Sequence, residues 1–171
     1  MARKVLVIDT SILCVYLEIP HMDTCGPSND KWDTERVKAK ILEEEQNGTT
    51  FILPLATLIE CGNHISQTVG GCYELAKALS SIIEKAALQT TPWAAFTDQS
   101  PLWGREQLIA LAQNWPDRCS EIGIADHTIK DVAEYYAEMG REVELLTGDA
   151  GLKAYEPKAP TIPIPRRRTK K

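Results

Sequence analysis

Four acidic residues of this chain stand where a carboxylate is poorly placed for plain solvation: Asp9, Glu60, Asp126 and Asp149. Asp9 follows the apolar run Val5-Leu6-Val7-Ile8, and Asp149 follows Val143 to Leu146 through Thr147-Gly148. Glu60 and Asp126 each border an apolar stripe, in Pro54-Leu55-Ala56-Thr57-Leu58-Ile59-Glu60 and Ile124-Ala125-Asp126-His127-Thr128-Ile129. Hydroxyls accompany two of the acids: Thr10 and Ser11 after Asp9, and Thr147 before Asp149. Four carboxylates gathered at one point repel one another and cannot all stay ionised alone. A hard divalent cation removes the conflict, because Mg²⁺ and Mn²⁺ take oxygen ligands and keep several waters. Such a cluster can hold one or two metals, activate water and neutralise charge developing on a phosphate. Each acid also has an ordinary role open to it. Asp9 and Asp149 suit helix N-caps, Asp126 suits the first turn of a helix, and Glu60 suits a partly exposed helix face.

The elements that must position these acids can be read from hydrophobic pattern and punctuation. Residues 4–8 are a short β-branched run of the kind buried on both faces in a parallel sheet. The polar triplet Asp9-Thr10-Ser11 then caps a helix through Ile12 to Leu17. Residues 20–33 carry Pro20, Gly26, Pro27 and Asn29 and read as a loop. Thr34 to Gln46 is a helix stopped by Asn47-Gly48. Phe51 to Leu53 is a second strand, ended by Pro54, and Leu55 opens the helix that carries Glu60 and, one turn on, Asn63. Gly70-Gly71 separates that helix from another over Cys72 to Leu88. Thr90 to Trp93 reads as a third strand and Leu102 to Asn114 as a helix. Ile122 to Met139 is the clearest amphipathic helix, with Ala125, Ile129, Val132, Ala133 and Tyr136 at i, i+4, i+7, i+8 and i+11. Val143 to Leu146 is the last strand. Alternating strands and helices indicate an α/β domain with a mostly parallel central sheet, whose sites form beyond the carboxyl ends of the strands.

The four acids in this order resemble a known family. Asp9-Thr10-Ser11 after the first strand looks like the opening of a PIN-domain nuclease, and the likeness continues through Glu60, Asp126 and Thr147-Gly148-Asp149, spanning residues 4 to about 155. The resemblance implies a PIN-like α/β/α sandwich over residues 1–156; the four prolines of residues 157–165 suit an extended edge segment, and a basic tail completes the 157–171 stretch. It implies a metal-dependent endoribonuclease that hydrolyses RNA phosphodiester bonds with a metal-activated water, leaving a 5′-phosphate and a 3′-hydroxyl. Asp9, Glu60, Asp126 and Asp149 would be the catalytic acids holding Mg²⁺ or Mn²⁺. Thr10, Ser11 and Thr147 would support them or touch the scissile phosphate, and Asn63 is a further supporting candidate. Many similar domains are toxins of toxin–antitoxin pairs and commonly dimerise, so RNA, an antitoxin protein and a second copy are the partners implied. The chain is longer than the compact toxins, with the 20–33 insertion and extra helical sequence over 72–114.

Composition narrows the alternatives. The chain has 171 residues, 43% of them hydrophobic and 25% charged, an ordinary globular balance. No apolar run approaches the roughly 20 residues of a membrane span. The apolar run behind the charged start ends at Ile8, too short for a signal-peptide core, so a cytoplasmic protein is expected. Five cysteines with no C-x-x-C pair argue against a disulfide framework and a structural zinc site. The formal net charge is −5, yet the last six residues hold five basic groups and no acid. An acidic body with a basic tail is no generic duplex binder, and any nucleic-acid contact must be local. His64 and His127 suit surface or core roles better than catalysis, since His127 points about 100° around the helix from Asp126. Trp32, Trp93, Trp103 and Trp115 suit core or partner contacts, with base stacking a minority role. Two rival readings remain: a non-catalytic binding module with the same fold, and an aspartyl-nucleophile phosphatase. The second wants an acid two residues after the first Asp, where this chain has Ser11.

Overall fold

The computed structural model describes residues 4–159. Most of the proposed 157–165 extended segment, and all of the basic tail, therefore lie outside the described residues. Three parallel strands form the sheet: β1 (Lys4–Ile8), β4 (Thr50–Ile52) and β5 (Glu142–Leu146), in the order β4-β1-β5. Val7 pairs with Ile52 on one side and Leu145 on the other, so β1 is central. The apolar run at 4–8 is buried on both faces for that reason. The even positions Leu6 and Ile8 join Phe51, Leu53 and Leu146 in one core cluster. The odd positions Val5 and Val7 join Ile52, Val143 and Leu145 in another.

Helices cover both faces. The first cluster receives α1 (Thr10–Tyr16), α2 (Thr34–Gln46), α3 (Leu55–Ser66) and α4 (Cys72–Ala87) through Ile12, Leu13, Val37, Cys61, Ile65, Leu79 and Ile82. The second receives α6 (Ile124–Glu138) through Ile129, Val132, Ala133 and Tyr136, and the short α7 (Ala150–Lys153) through Leu152. The chain is thus an α/β domain with a small parallel sheet between helical layers. Among the described residues no helix is long and apolar enough to cross a membrane.

Three segments differ from the sequence reading. Residues 20–33 are not wholly loop: β2 (Thr24–Cys25) and β3 (Trp32–Asp33) pair antiparallel, Cys25 opposite Trp32. Gly26 makes the turn possible at φ +90°, where a Cβ would lie 2.5 Å from the Asp30 carbonyl oxygen. The expected strand at 90–93 is reduced to one parallel bridge. The Phe51 amide donates to the Pro92 carbonyl at 2.8 Å, and the Ala94 amide to the Phe51 carbonyl at 2.9 Å. The helix expected over 102–114 is broken at Gly104, which is extended; Phe96–Trp103 is a 3₁₀ stretch and α5 is Arg105–Asn114. An extended Gly123 likewise delays α6 to Ile124 and leaves Ile122 as a separate buried residue.

Candidate active site

Asp9 stands at the carboxyl end of central β1 and is 3% exposed. It is the N-cap of α1, accepting from the Thr10 amide at 2.6 Å. Its other oxygen accepts from the Ser11 hydroxyl at 2.6 Å and the Thr147 hydroxyl at 2.7 Å. Capping and site-building thus coincide in one residue: the cap fixes the carboxylate, and hydroxyls from two elements hold its second oxygen. A buried carboxylate needs that many donors to remain in place.

The three hydroxyls carry the acids' relative placement. Thr10, one residue past the cap, donates to the Glu60 carboxylate at 2.6 Å and so links α1 to α3. Ser11 accepts from the Gly148 amide at 3.0 Å while donating to Asp9. Thr147 donates to Asp9 and accepts from the Asp149 amide at 2.9 Å. The turn after β5 is therefore bonded twice to the start of α1. Thr57 adds a buried tie from α3 to the Ile8 carbonyl at 2.9 Å.

Glu60 lies in the second turn of α3, partly buried, and Asp149 is exposed as the N-cap of α7. Asp149 accepts from the Gly151 amide at 2.6 Å and the Leu152 amide at 3.2 Å. Asp126 is in the first turn of α6, partly buried, and accepts no hydrogen bond among the described residues. Burial pushes its carboxyl up, and the charges of Asp9, Asp149 and Glu60 push it further, to about 6. All four acids therefore act on one region, although they come from four separate stretches of chain. Asn63 is exposed on α3, and among the described residues its side chain bonds none of the acids.

The donor set is all hard oxygen, which suits Mg²⁺ or Mn²⁺ and not a thiol- or imidazole-seeking metal. Among the described residues no group of three or more His, Cys, Asp or Glu side chains is placed to hold a metal ion. Mg²⁺ does not require one; it is held by one or two carboxylates with waters completing the shell. An unbonded, partly buried Asp126 raised by three neighbouring carboxylates has the chemistry of such a ligand.

Two features of the site were not legible in the sequence. The insertion hairpin packs directly on the turn after β5: a Cβ at Gly148 would lie 2.5 Å from the Cys25 sulfur and 2.8 Å from the Gly26 nitrogen. Burial pushes the Cys25 thiol up, and a hydrogen bond with Ser11 opposes this. All five cysteines are free. The signal was Gly148 itself, a glycine between two site residues. The other feature is a cavity of about 180 Å³ beside Asp149, walled by Trp32 of β3. A larger cavity, about 760 Å³ between α5 and α6, is lined by none of the four acids. His127 lines it, 6% exposed, with Nδ1 lacking a partner, so it turns away from the acids as its helix position requires. The chain matches no family model, no curated protein and no solved structure.

Proposed function

We propose that this chain is a PIN-like, Mg²⁺- or Mn²⁺-dependent endoribonuclease. The observation that carries the reading is the gathering of acids at the carboxyl ends of the strands, where Thr10 bonds Glu60, Ser11 and Thr147 bond Asp9, and the charges of Asp9, Asp149 and Glu60 all bear on Asp126. A site that concentrates four acids and gives one of them no donor stores unfavourable electrostatics, which a divalent cation relieves. When bound, the cation lowers the pKa of water and offsets negative charge on a phosphodiester. In this reading Asp9, Glu60, Asp126 and Asp149 would be the acids that hold it. Thr10, Ser11 and Thr147 fix the carboxylates so that little reorganisation is needed during reaction. RNA is the substrate that this reading assigns.

The test is cleavage of a mixed pool of structured and single-stranded RNAs with Mn²⁺, Mg²⁺ or EDTA. Cuts are expected with either metal, none in EDTA, and a loss on the order of a hundredfold in Asp126→Asn. Metal-independent cutting, or full activity in the variant, would overturn the assignment.

A further inference from the structure

The 180 Å³ cavity beside Asp149 joins two parts of the chain that the sequence keeps far apart. Pro27 and Trp32 come from the insertion hairpin, and Thr147, Gly148, Asp149 and Lys153 from the turn after β5 and α7. The volume is below the roughly 300 Å³ at which whole small-molecule sites begin. It suits one planar group and not a complete cofactor. Trp32 is only partly buried, and its indole is held firmly. The Arg36 guanidinium lies 3.7 Å from the ring centroid, a would-be Cβ on Gly26 approaches its Cδ1 at 3.4 Å, and its strand partner Cys25 is seated against Gly148. Arg36 covers one face of the indole, so a base would stack on the other, where Trp32 lines the cavity next to a carboxylate of the candidate site.

We infer that the insertion hairpin builds a base-binding subsite, in which Trp32 stacks one unstacked base of single-stranded RNA adjacent to the scissile phosphate. The inference rests on the nuclease reading for the position of that phosphate. A base held between Trp32 and the Gly148 turn sets the register of the strand relative to Asp9 and Asp149. A base inside a duplex cannot enter, because its faces are already stacked. The subsite therefore selects single-stranded or looped RNA, and Trp32 is a binding residue, not a catalytic one.

The experiment measures binding of short labelled single-stranded RNAs to the full chain by fluorescence anisotropy, with Ca²⁺ replacing Mn²⁺. An abasic nucleotide is moved along the RNA one position at a time. Wild-type protein should lose about tenfold in affinity at one abasic position. Trp32→Ala should bind all the RNAs equally weakly, with no sensitive position, whereas Trp32→Phe should keep most of the affinity and the sensitive position. Ala150→Leu, which narrows the cavity from the start of α7 and leaves the hairpin sequence unchanged, should also abolish the sensitive position. A sensitive position that persists in both Trp32→Ala and Ala150→Leu overturns the subsite. Cleavage with Mn²⁺ is measured in parallel. Cleavage without Trp32-dependent binding removes the subsite and keeps the nuclease. Trp32-dependent binding without cleavage by the wild type removes the nuclease and keeps a single-strand binding site.

Discussion

At the scale of single residues, the candidate site is a balance between carboxylates that repel and hydroxyls that hold them. Asp126 bears the imbalance, since it is raised to about 6 with no hydrogen bond to offset burial and three like charges. At neutral pH the group is still mostly ionised, so the metal-free fold carries the cost of that charge. Asp126→Asn is expected to stabilise the metal-free protein by about 1 kcal/mol while costing roughly a hundredfold in cleavage. Thermal melts at neutral pH check this. Mn²⁺ should raise the midpoint of the wild type and leave the variant nearly unchanged, because only a ligand bound by the native state stabilises it. Thr10 presents a complementary case. Its hydroxyl is bonded to Glu60 at 2.6 Å and contributes no charge. Thr10→Val should lower metal affinity or turnover by about 10–100-fold without unfolding the chain, as removal of an orienting partner does. Calorimetric metal titration beside turnover measurements would show it. An unchanged affinity and rate would mean that Glu60 is positioned by α3 alone.

At the scale of elements, the turn after β5 matters most. It connects the edge strand to α7, carries Thr147 and Asp149, and is clamped between the start of α1 and the insertion hairpin. Gly148 is required there because of close approach and not because of backbone conformation. Gly148→Ala would place a methyl 2.5 Å from the Cys25 sulfur. The hairpin or the turn must move, at a cost of about 1–3 kcal/mol. Chemical denaturation should report that loss, together with reduced activity, while a Cys25→Ala change in the same background should restore part of both. The exposed edge of β5 is also managed locally. The Leu145 amide donates to Glu156 at 2.7 Å, and the Lys153 ammonium donates to the Leu145 carbonyl at 2.8 Å. Two side chains from α7 and the residues after it thus occupy groups that would otherwise template another strand.

At the scale of the whole molecule, the candidate-site acids and a buried ion-pair cluster are kept at opposite ends of the sheet. Asp9 and its neighbours occupy the carboxyl ends of the strands. At the other end Lys4 and Lys40 bracket Glu44, which is 2% exposed, at 2.6 and 2.7 Å, and the Thr49 hydroxyl donates to its second oxygen. Burial pushes the Glu44 carboxyl up, but bonds from Lys4, Lys40 and Thr49 outweigh it and hold the group at about 2. A carboxyl depressed in the fold stabilises fully above its ordinary value of 4.5 and loses that contribution as pH falls towards 2. Glu44→Gln should cost about 3 kcal/mol at neutral pH and flatten the acid limb of the stability profile, which denaturation at a series of pH values would measure. Much of this organisation was readable from the chain alone. Hydrophobic period, caps and breakers are local, so β1, α2 and α3 fall where Val5–Ile8, Thr34 and Pro54 direct them, and the candidate acids stand out by their position at strand ends and beside apolar stripes. The break at Gly104 and the delayed start of α6 were not readable, because glycine permits helix and extended backbone alike and the packing of Ile122 and Trp103 decides between them. Nor was the pairing of Cys25 with Trp32, since a two-residue ladder has no periodicity. The element types and the identity of the candidate acids are properties of short stretches and belong to the sequence. The field on Asp126, the hydroxyl ties across α1, α3 and β5, and the seat of the hairpin on Gly148 join residues up to 138 positions apart. Only the folded chain brings such groups within bonding distance, so only the tertiary structure could decide them.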